Sequence, residues 1–377
     1  MRKASVIIAA MLTLFLSSGC CMLAVSPNPS AGATSALTPV PATQTPASQP
    51  VATLLPGSAL TSTTYGLPIP GKAVNHLAMD DKYLYWTTEG GSDLFRYPMD
   101  SSTGTAPAVI ASTRFDQGTL DAYPNDPLAW AGVWLMFDDR QIQTKRWALR
   151  ALNVETQTEL TVAQGDGSTL LDTFSSDGEW AAWIAKDLAT GAAILTAQNL
   201  ATGQNRELAR SASPSSGWEQ VVVSAGQAGG VQAGNAGRTL FLFDLKSGQG
   251  RTLLSEPGGS DMFGLAFVGN WMAWKTGTNS YGPTALYNLE NARIERLPDL
   301  GVTPVLVGHW LAWEAAYEQP LYVVDLESLQ SFQVAEAQPG EDLQSVAIHG
   351  PWLAWSRVHS NSDRTKVVSR LEWRALP

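Results

Sequence analysis

Seven carboxylates stand where short apolar runs of this chain end: Asp80, Asp81, Asp138, Asp139, Asp177, Asp187 and Glu314. Two carboxylates can share general acid–base work, one giving a proton while the other takes one, if the fold brings both within reach of one substrate atom. Apart from two adjacent pairs, these seven lie tens of residues apart. Only an architecture that gathers distant turns around a common axis would bring them together; otherwise they are solvated turn residues. Other chemistries have less to work with. The histidines, His76, His309, His349 and His359, lack the paired spacing of a metal site and are read as surface or turn residues, so no metal is expected. There is no Gly-x-Ser-x-Gly elbow and no Gly-x-x-x-x-Gly-Lys-Ser/Thr loop. "GDGS" at Gly165–Ser168 lacks the carboxylates that would follow in a calcium loop. Cys20 and Cys21 are the only cysteines, so the chain beyond them has no thiol nucleophile, disulfide or thiolate metal ligand. No cofactor is expected.

The N-terminus reads as a targeting signal over residues 1–19. Arg2 and Lys3 precede the apolar run Ala4–Leu16, which suits a signal-peptide core and is too short to span a bilayer. "LSSGC", Leu16–Cys20, resembles the bacterial lipobox, whose cysteine is lipidated and becomes the new N-terminus. Ser17 departs from the leucine usual in that motif, and Gly19 favours Cys20 over Cys21 as the attachment site. Residues 20–63 then read as the anchor cysteine and a flexible linker. Ser26–Thr63 is uncharged and holds seven prolines, a composition that buries too little apolar surface to offset its ordering entropy. Residues 64–377 read as one globular domain carrying all fourteen tryptophans. Without Arg2 and Lys3 the chain has 22 basic and 34 acidic residues, a formal charge of −12. With no basic stretch, nucleic-acid binding is not expected, and an acidic surface would meet a membrane through covalent lipid only.

The domain is written as a repeat. "GEWAAW" (Gly178–Trp183), "GNWMAW" (Gly269–Trp274), "GHWLAW" (Gly308–Trp313) and "GPWLAW" (Gly350–Trp355) are variants of one hexapeptide, and "DKYLYW" and "GVWLMF" are weaker copies. Aligned on the last residue, the series runs Trp86, Phe137, Trp183, Val222 (from "WEQVVV"), Trp274, Trp313, Trp355. The spacings are 51, 46, 39, 52, 39 and 42, near the length of a four-stranded propeller blade. Successive strand residues point to opposite faces, so Trp310 and Ala312 share one face and Leu311 and Trp313 the other. Both faces are apolar, which demands burial between two neighbouring sheets. The expected fold is all-β: a propeller of seven four-stranded blades, with six or eight as alternatives. The last blade contains only three strands before the chain ends, so Ser62–Pro70 is expected to supply its outer strand and close the ring.

"TFSSDGEWAAWIA", Thr173–Ala185, is similar to the Ser-Pro-Asp-Gly-Lys-aromatic-x-Ala-aromatic repeat of TolB-type, WD-repeat-like bacterial propellers, with Ser176 in place of proline. The resemblance implies a propeller and favours a protein partner in an envelope complex. Function is expected in the loops between second and third strands, which vary most: Thr88–Asp93, Asp138–Arg146, Lys275–Pro283 and Arg357–Arg364. Ser224–Arg238 is the longest, and its glycine content reads as a mobile loop. Arg140, Tyr281, Tyr317 and Arg357 are the candidate rim contacts, with no catalytic residue assigned. The reading is a monomeric, exported, lipid-anchored binding or scaffolding propeller for a protein or peptide. It would sit at the outer face of a cytoplasmic membrane or in a periplasm. The alternative is a propeller enzyme acting on carbohydrate through converging loop carboxylates.

Overall fold

A computed structural model describes residues 51–57, 60–100, 105–120, 128–211, 216–257, 261–277, 282–316, 318–360 and 367–377. Among these there are strands and turns and no α-helix. The strands form seven antiparallel sheets, each built from one four-stranded blade, arranged as a propeller. The innermost and second strands of blades one to three are Val74–Met79 and Tyr83–Thr88; Thr119–Leu120 with Ala129–Ala131 and Trp134–Gln141; Thr169–Ser176 and Trp180–Asp187. Those of blades four to seven are Trp218–Ser224 and Gln227–Gly234; Asp261–Val268 and Trp271–Gly277; Pro304–Val307 and Trp310–Trp313; Glu341–His349 and Trp352–Ser360.

There is no single core. Seven hydrophobic clusters occur, one at each junction between neighbouring blades, and the last joins blade seven to blade one. The hexapeptide feeds two of them at once. Trp310 and Ala312 pack in the cluster shared with blade seven, and Leu311 and Trp313 in the one shared with blade five. Trp183, Trp274, Trp355 and Trp86 likewise turn towards the preceding blade. The hairpins before these strands turn on Gly269, Gly308 and Gly350, with φ of 54°, 59° and 53°. A two-residue turn with positive φ at its first position matches the right-handed twist of the strands it joins.

Blade four corrects the sequence reading. "WEQVVV" is an innermost strand, and the glycine-rich segment taken for a mobile loop is the second strand, Gln227–Gly234, reached through an Ala225-Gly226 turn. Gly230 therefore occupies the place of the repeat tryptophan, and the spacings around it become 47 and 44 residues. The reason is steric. A Cβ on Gly230 would lie 3.1 Å from the Trp218 ring, and one on Gly229 would lie 2.2 Å from the Met272 methyl. Trp218 comes across from the adjacent strand and fills the volume that a tryptophan at 230 would take.

The ring closes as expected. Tyr65–Pro70 pairs antiparallel with Val367–Ala375 as the outer strand of blade seven, and Tyr65 stacks on Trp373 at 5.8 Å. The described end of the proline-rich segment is more ordered than a free linker. Ala52 N–H donates to Arg296 O on blade five, Leu55–Pro56 pairs parallel with Gln330–Ser331 on blade six, and Leu54 and Leu60 pack beneath the blades. Arg374 fastens the crossing, donating to Leu60 O at 3.1 Å, Ser62 O at 2.6 Å and Val334 O at 3.1 Å. The apolar letters of "VATLL" and "AL" carry this contact. Removing residues 60–70 should lower the melting temperature by about 10 °C or more, measured by calorimetry; an unchanged melt would mean the ring does not depend on this strand.

Candidate functional site

Hairpins between first and second strands lie at one end of the ring, and loops between second and third strands at the other. A cavity of about 810 Å³ opens at the second end. Its wall is made by innermost strands: Asn75–Leu77, Leu170, Gly264 and Leu265, Thr303–Val305 and Gln344–Val346. Its lip carries Glu89, Arg140, Ile142, Lys145 and Leu188 from the loops of blades one to three. Thr88–Asp93, singled out in the sequence, borders this funnel. Asp138–Arg146 is corrected, since Asp138–Gln141 belong to the second strand of blade two and Arg146 to the third, leaving a turn at 142–145 whose Ile142 and Lys145 reach the lip.

The wall owes its shape to irregularities in the innermost strands. Pairing registers shift between Val74 and His76, Phe263 and Ala266, and Gln344 and Ala347. Each bulge adds a residue and re-aims the chain, at Asn75, at Gly264-Leu265 and at Ser345-Val346. Ser345 has φ of 52°, a left-handed conformation unusual for serine. It is held from both sides, its N–H donating to the Glu314 carboxylate at 3.0 Å and its hydroxyl to Asn75 O at 3.0 Å. Blades six, seven and one are joined at the wall through this residue.

Glu314 follows the repeat residue Trp313. Its N–H donates to Thr303 O at 3.0 Å, and its carbonyl accepts from Val302 N–H at 2.8 Å, so the backbone is fixed. Glu314 is half-buried at the cavity wall, and desolvation pushes its carboxyl above the ordinary glutamate range, with the Thr303 hydroxyl and the Ser345 N–H acting the other way. The other acids suggested for convergence do not join it. Asp80 and Asp177 cap hairpins at the opposite end, accepting from Tyr83 N–H at 2.6 Å and Trp180 N–H at 2.8 Å. Asp81, also there, lies 3.3 Å from His349. Asp138 and Asp139 are buried in blade two against Arg140 and Arg150. Asp187 caps its own turn through Thr190 N–H at 2.7 Å. Besides Glu314, the only acid on the described funnel wall is Glu89.

Of the candidate rim contacts, Arg140 lines the funnel and is buried there, donating to Asp138 and to Leu171 O at 3.2 Å, which ties blade two to blade three. Arg357 does not line it; it holds blade seven together through Glu341 at 2.6 Å and Glu372 at 3.1 Å. Tyr281, Tyr317 and Cys20 lie outside the described residues. His76 corrects its reading as a surface or turn residue, being buried in the innermost strand of blade one and part of the wall. His309 is in an exposed turn, as read, and His359 is exposed. The wall residues Asn75, Gln344 and Ser345 are not among the sequence candidates; polar letters interrupting an otherwise apolar innermost strand are the signal that marks them. Ile142 and Leu188, 60% and 43% exposed, are large apolar residues at the lip. Among the described residues no group of three or more His, Cys, Asp or Glu is placed to hold a metal ion.

No protein-family model matches the sequence, and no curated protein matches it. Solved structures resemble it as a fold. An oligogalacturonate lyase in complex with manganese superposes with a TM-score of 0.57 at 12% identity, covering 87% of this chain and 99% of that one. A chain of the mitotic checkpoint complex gives 0.55 at 12% identity over 88% and 96%. TolB from Acinetobacter baumannii is also similar, at 0.44 and 13% identity over 65% and 60%, a weaker overlap than either. The first two likenesses agree with the seven-bladed β-propeller architecture that the sheets of this chain define.

The raised carboxyl has a consequence for stability. The folded state holds a proton on Glu314 in a pH range where the unfolded state has released it, so stability falls as pH rises through that range. Glu314→Gln keeps an acceptor for Ser345 N–H and removes the titration. The variant should melt about 2 °C or more above the parent near pH 8, with the gain shrinking as pH approaches about 4. A difference independent of pH, read by thermal melts, would mean the charge costs the ring nothing.

Proposed function

We propose that this protein is a binding module whose funnel receives a peptide or an exposed segment of a protein partner. The observation that carries the reading is the lip: Ile142 and Leu188 are solvent-exposed on adjacent blades beside a cavity whose deeper wall is largely apolar. Exposed apolar side chains rimming a concave site are the usual mark of a binding surface. Variable loops on a rigid scaffold suit recognition, and the mitotic checkpoint complex gives a propeller of this shape within a protein assembly. Ile142→Asp and Leu188→Asp should each leave the melting temperature nearly unchanged and abolish capture of the partner in pull-downs from an envelope extract. Capture unaffected by both would remove the lip from the binding surface.

The second reading, a carbohydrate-active enzyme, draws on the likeness to oligogalacturonate lyase. Against it, the described wall offers Glu314 and Glu89 as acids and no three-residue ligand group for a metal such as the manganese of that complex. A polyuronate is also an anion, and the buried cation of the wall, Arg140, is already engaged with Asp138.

We place the domain on a lipid anchor at Cys20, exported to the outer face of a cytoplasmic membrane or to a periplasm, on the strength of the "LSSGC" motif and the apolar run before it. Cys20→Ala should release the protein from the membrane fraction; retention as before would exclude lipidation at that residue.

A further inference from the structure

Acids buried in this ring come with cations. Asp138 is paired with Arg140, Asp139 with Arg150 at 3.2 Å, Glu256 with Arg296 at 3.9 Å and Glu372 with Arg357 at 3.1 Å. A carboxylate taken from water without an opposite charge is costly. Glu314, half-buried on the funnel wall, has no such cation among the described residues: its partners are the neutral Thr303 hydroxyl and Ser345 N–H. Holding Ser345 in its left-handed conformation needs an acceptor, and a glutamine would provide one. The negative charge is therefore not required by the packing that places it.

We propose that the funnel selects a peptide segment presenting a lysine or arginine between apolar residues, with the cationic head paired to Glu314. This rests on the peptide-binding reading above and adds the charge of the ligand. The funnel that Glu314 faces is also lined by the half-buried apolar residues Leu170 and Val305. Such a wall takes the methylene stem of a long basic side chain and strengthens the charge pair at its end by excluding water. The lip charges do not reverse the choice. Glu89 and Lys145 are exposed and opposite in sign, so solvent screens both, and Arg140 is neutralised by Asp138. Burial holding the empty carboxyl above its ordinary range fits the same picture, since a bound cation would return it to the ionised form.

The test is to pan a random-sequence peptide library, displayed on phage, against the full-length chain, and to measure the enriched peptides as synthetic ligands by fluorescence anisotropy. Enriched peptides should carry Lys or Arg flanked by apolar residues. Replacing that residue by norleucine should weaken binding about tenfold or more. Glu314→Gln should weaken the parent peptide by a similar factor and leave the norleucine peptide unchanged, while Glu89→Gln should leave both within about twofold. The norleucine comparison decides the matter even if the Glu314 variant fails to fold. Peptides enriched without a basic residue, enriched for acidic ones, or insensitive to norleucine would overturn the cation proposal. If those same peptides still lose binding to Ile142→Asp, the peptide-binding reading stands. Binding indifferent to Ile142→Asp and Leu188→Asp, or no enrichment at all, would overturn both.

Discussion

Burial of the second strand on both of its faces is the constraint on which this molecule depends. Each blade is apolar front and back, so none of the seven sheets has a face suited to water. A buried tryptophan removes about 200 Å² from solvent, worth about 5 kcal/mol, and that gain exists only when the adjacent blade is present. An open row of blades would leave two such faces exposed. A closed ring leaves none, and Tyr65–Pro70, which precedes blade one in the chain, closes it by pairing with the last strand, Val367–Ala375.

Closure also makes the functional surface. Seven twisted sheets meeting at an axis crowd their innermost strands, and these strands absorb the strain as bulges at Asn75, Gly264-Leu265 and Ser345-Val346. Bulges break the alternation that hides side chains between blades and turn polar backbone and side chains towards the axis. Ser345 and Glu314 show how tightly this is set: a residue at φ of 52° is maintained by a carboxylate from the neighbouring blade. A group kept near the axis at some cost in stability is where binding energy can be recovered from a ligand, and Glu314 has only neutral hydrogen-bond partners there among the described residues.

Much of the architecture was legible in the letters. A strand with two apolar faces admits few environments, so "WLAW" and its copies specify inter-blade packing from local pattern alone, and a three-stranded last blade specifies that an earlier segment must complete it. The pattern failed in blade four, where Gln227–Gly234 (QAGGVQAG) has glycine at 229 and 230 and too few apolar side chains to show a period. Gly230 takes the tryptophan position because Trp218 already fills the space, a compensation between strands that no single window reveals. The apolar letters before residue 64 were outweighed by the surrounding prolines, although Leu54 and Leu60 pack on the ring.

The candidate site was legible only in outline. Variable loops between second and third strands could be named from sequence, although of Asp138–Arg146 only the turn at 142–145 is loop, the rest being strand. Which acids converge could not, because that depends on the end of the ring each turn occupies and on bulges in strands far apart. Asp80, Asp81 and Asp177 went to one end, Glu314 to the other, and Asp138 and Asp139 into the wall of blade two. Sequence by itself determined the repeat, its two-faced strands and the ring they require, since burial periodicity is a local property of the chain. The tertiary structure alone decided that Glu314 faces the funnel with no cation beside it among the described residues, because pairing of charges is settled by which blades become neighbours.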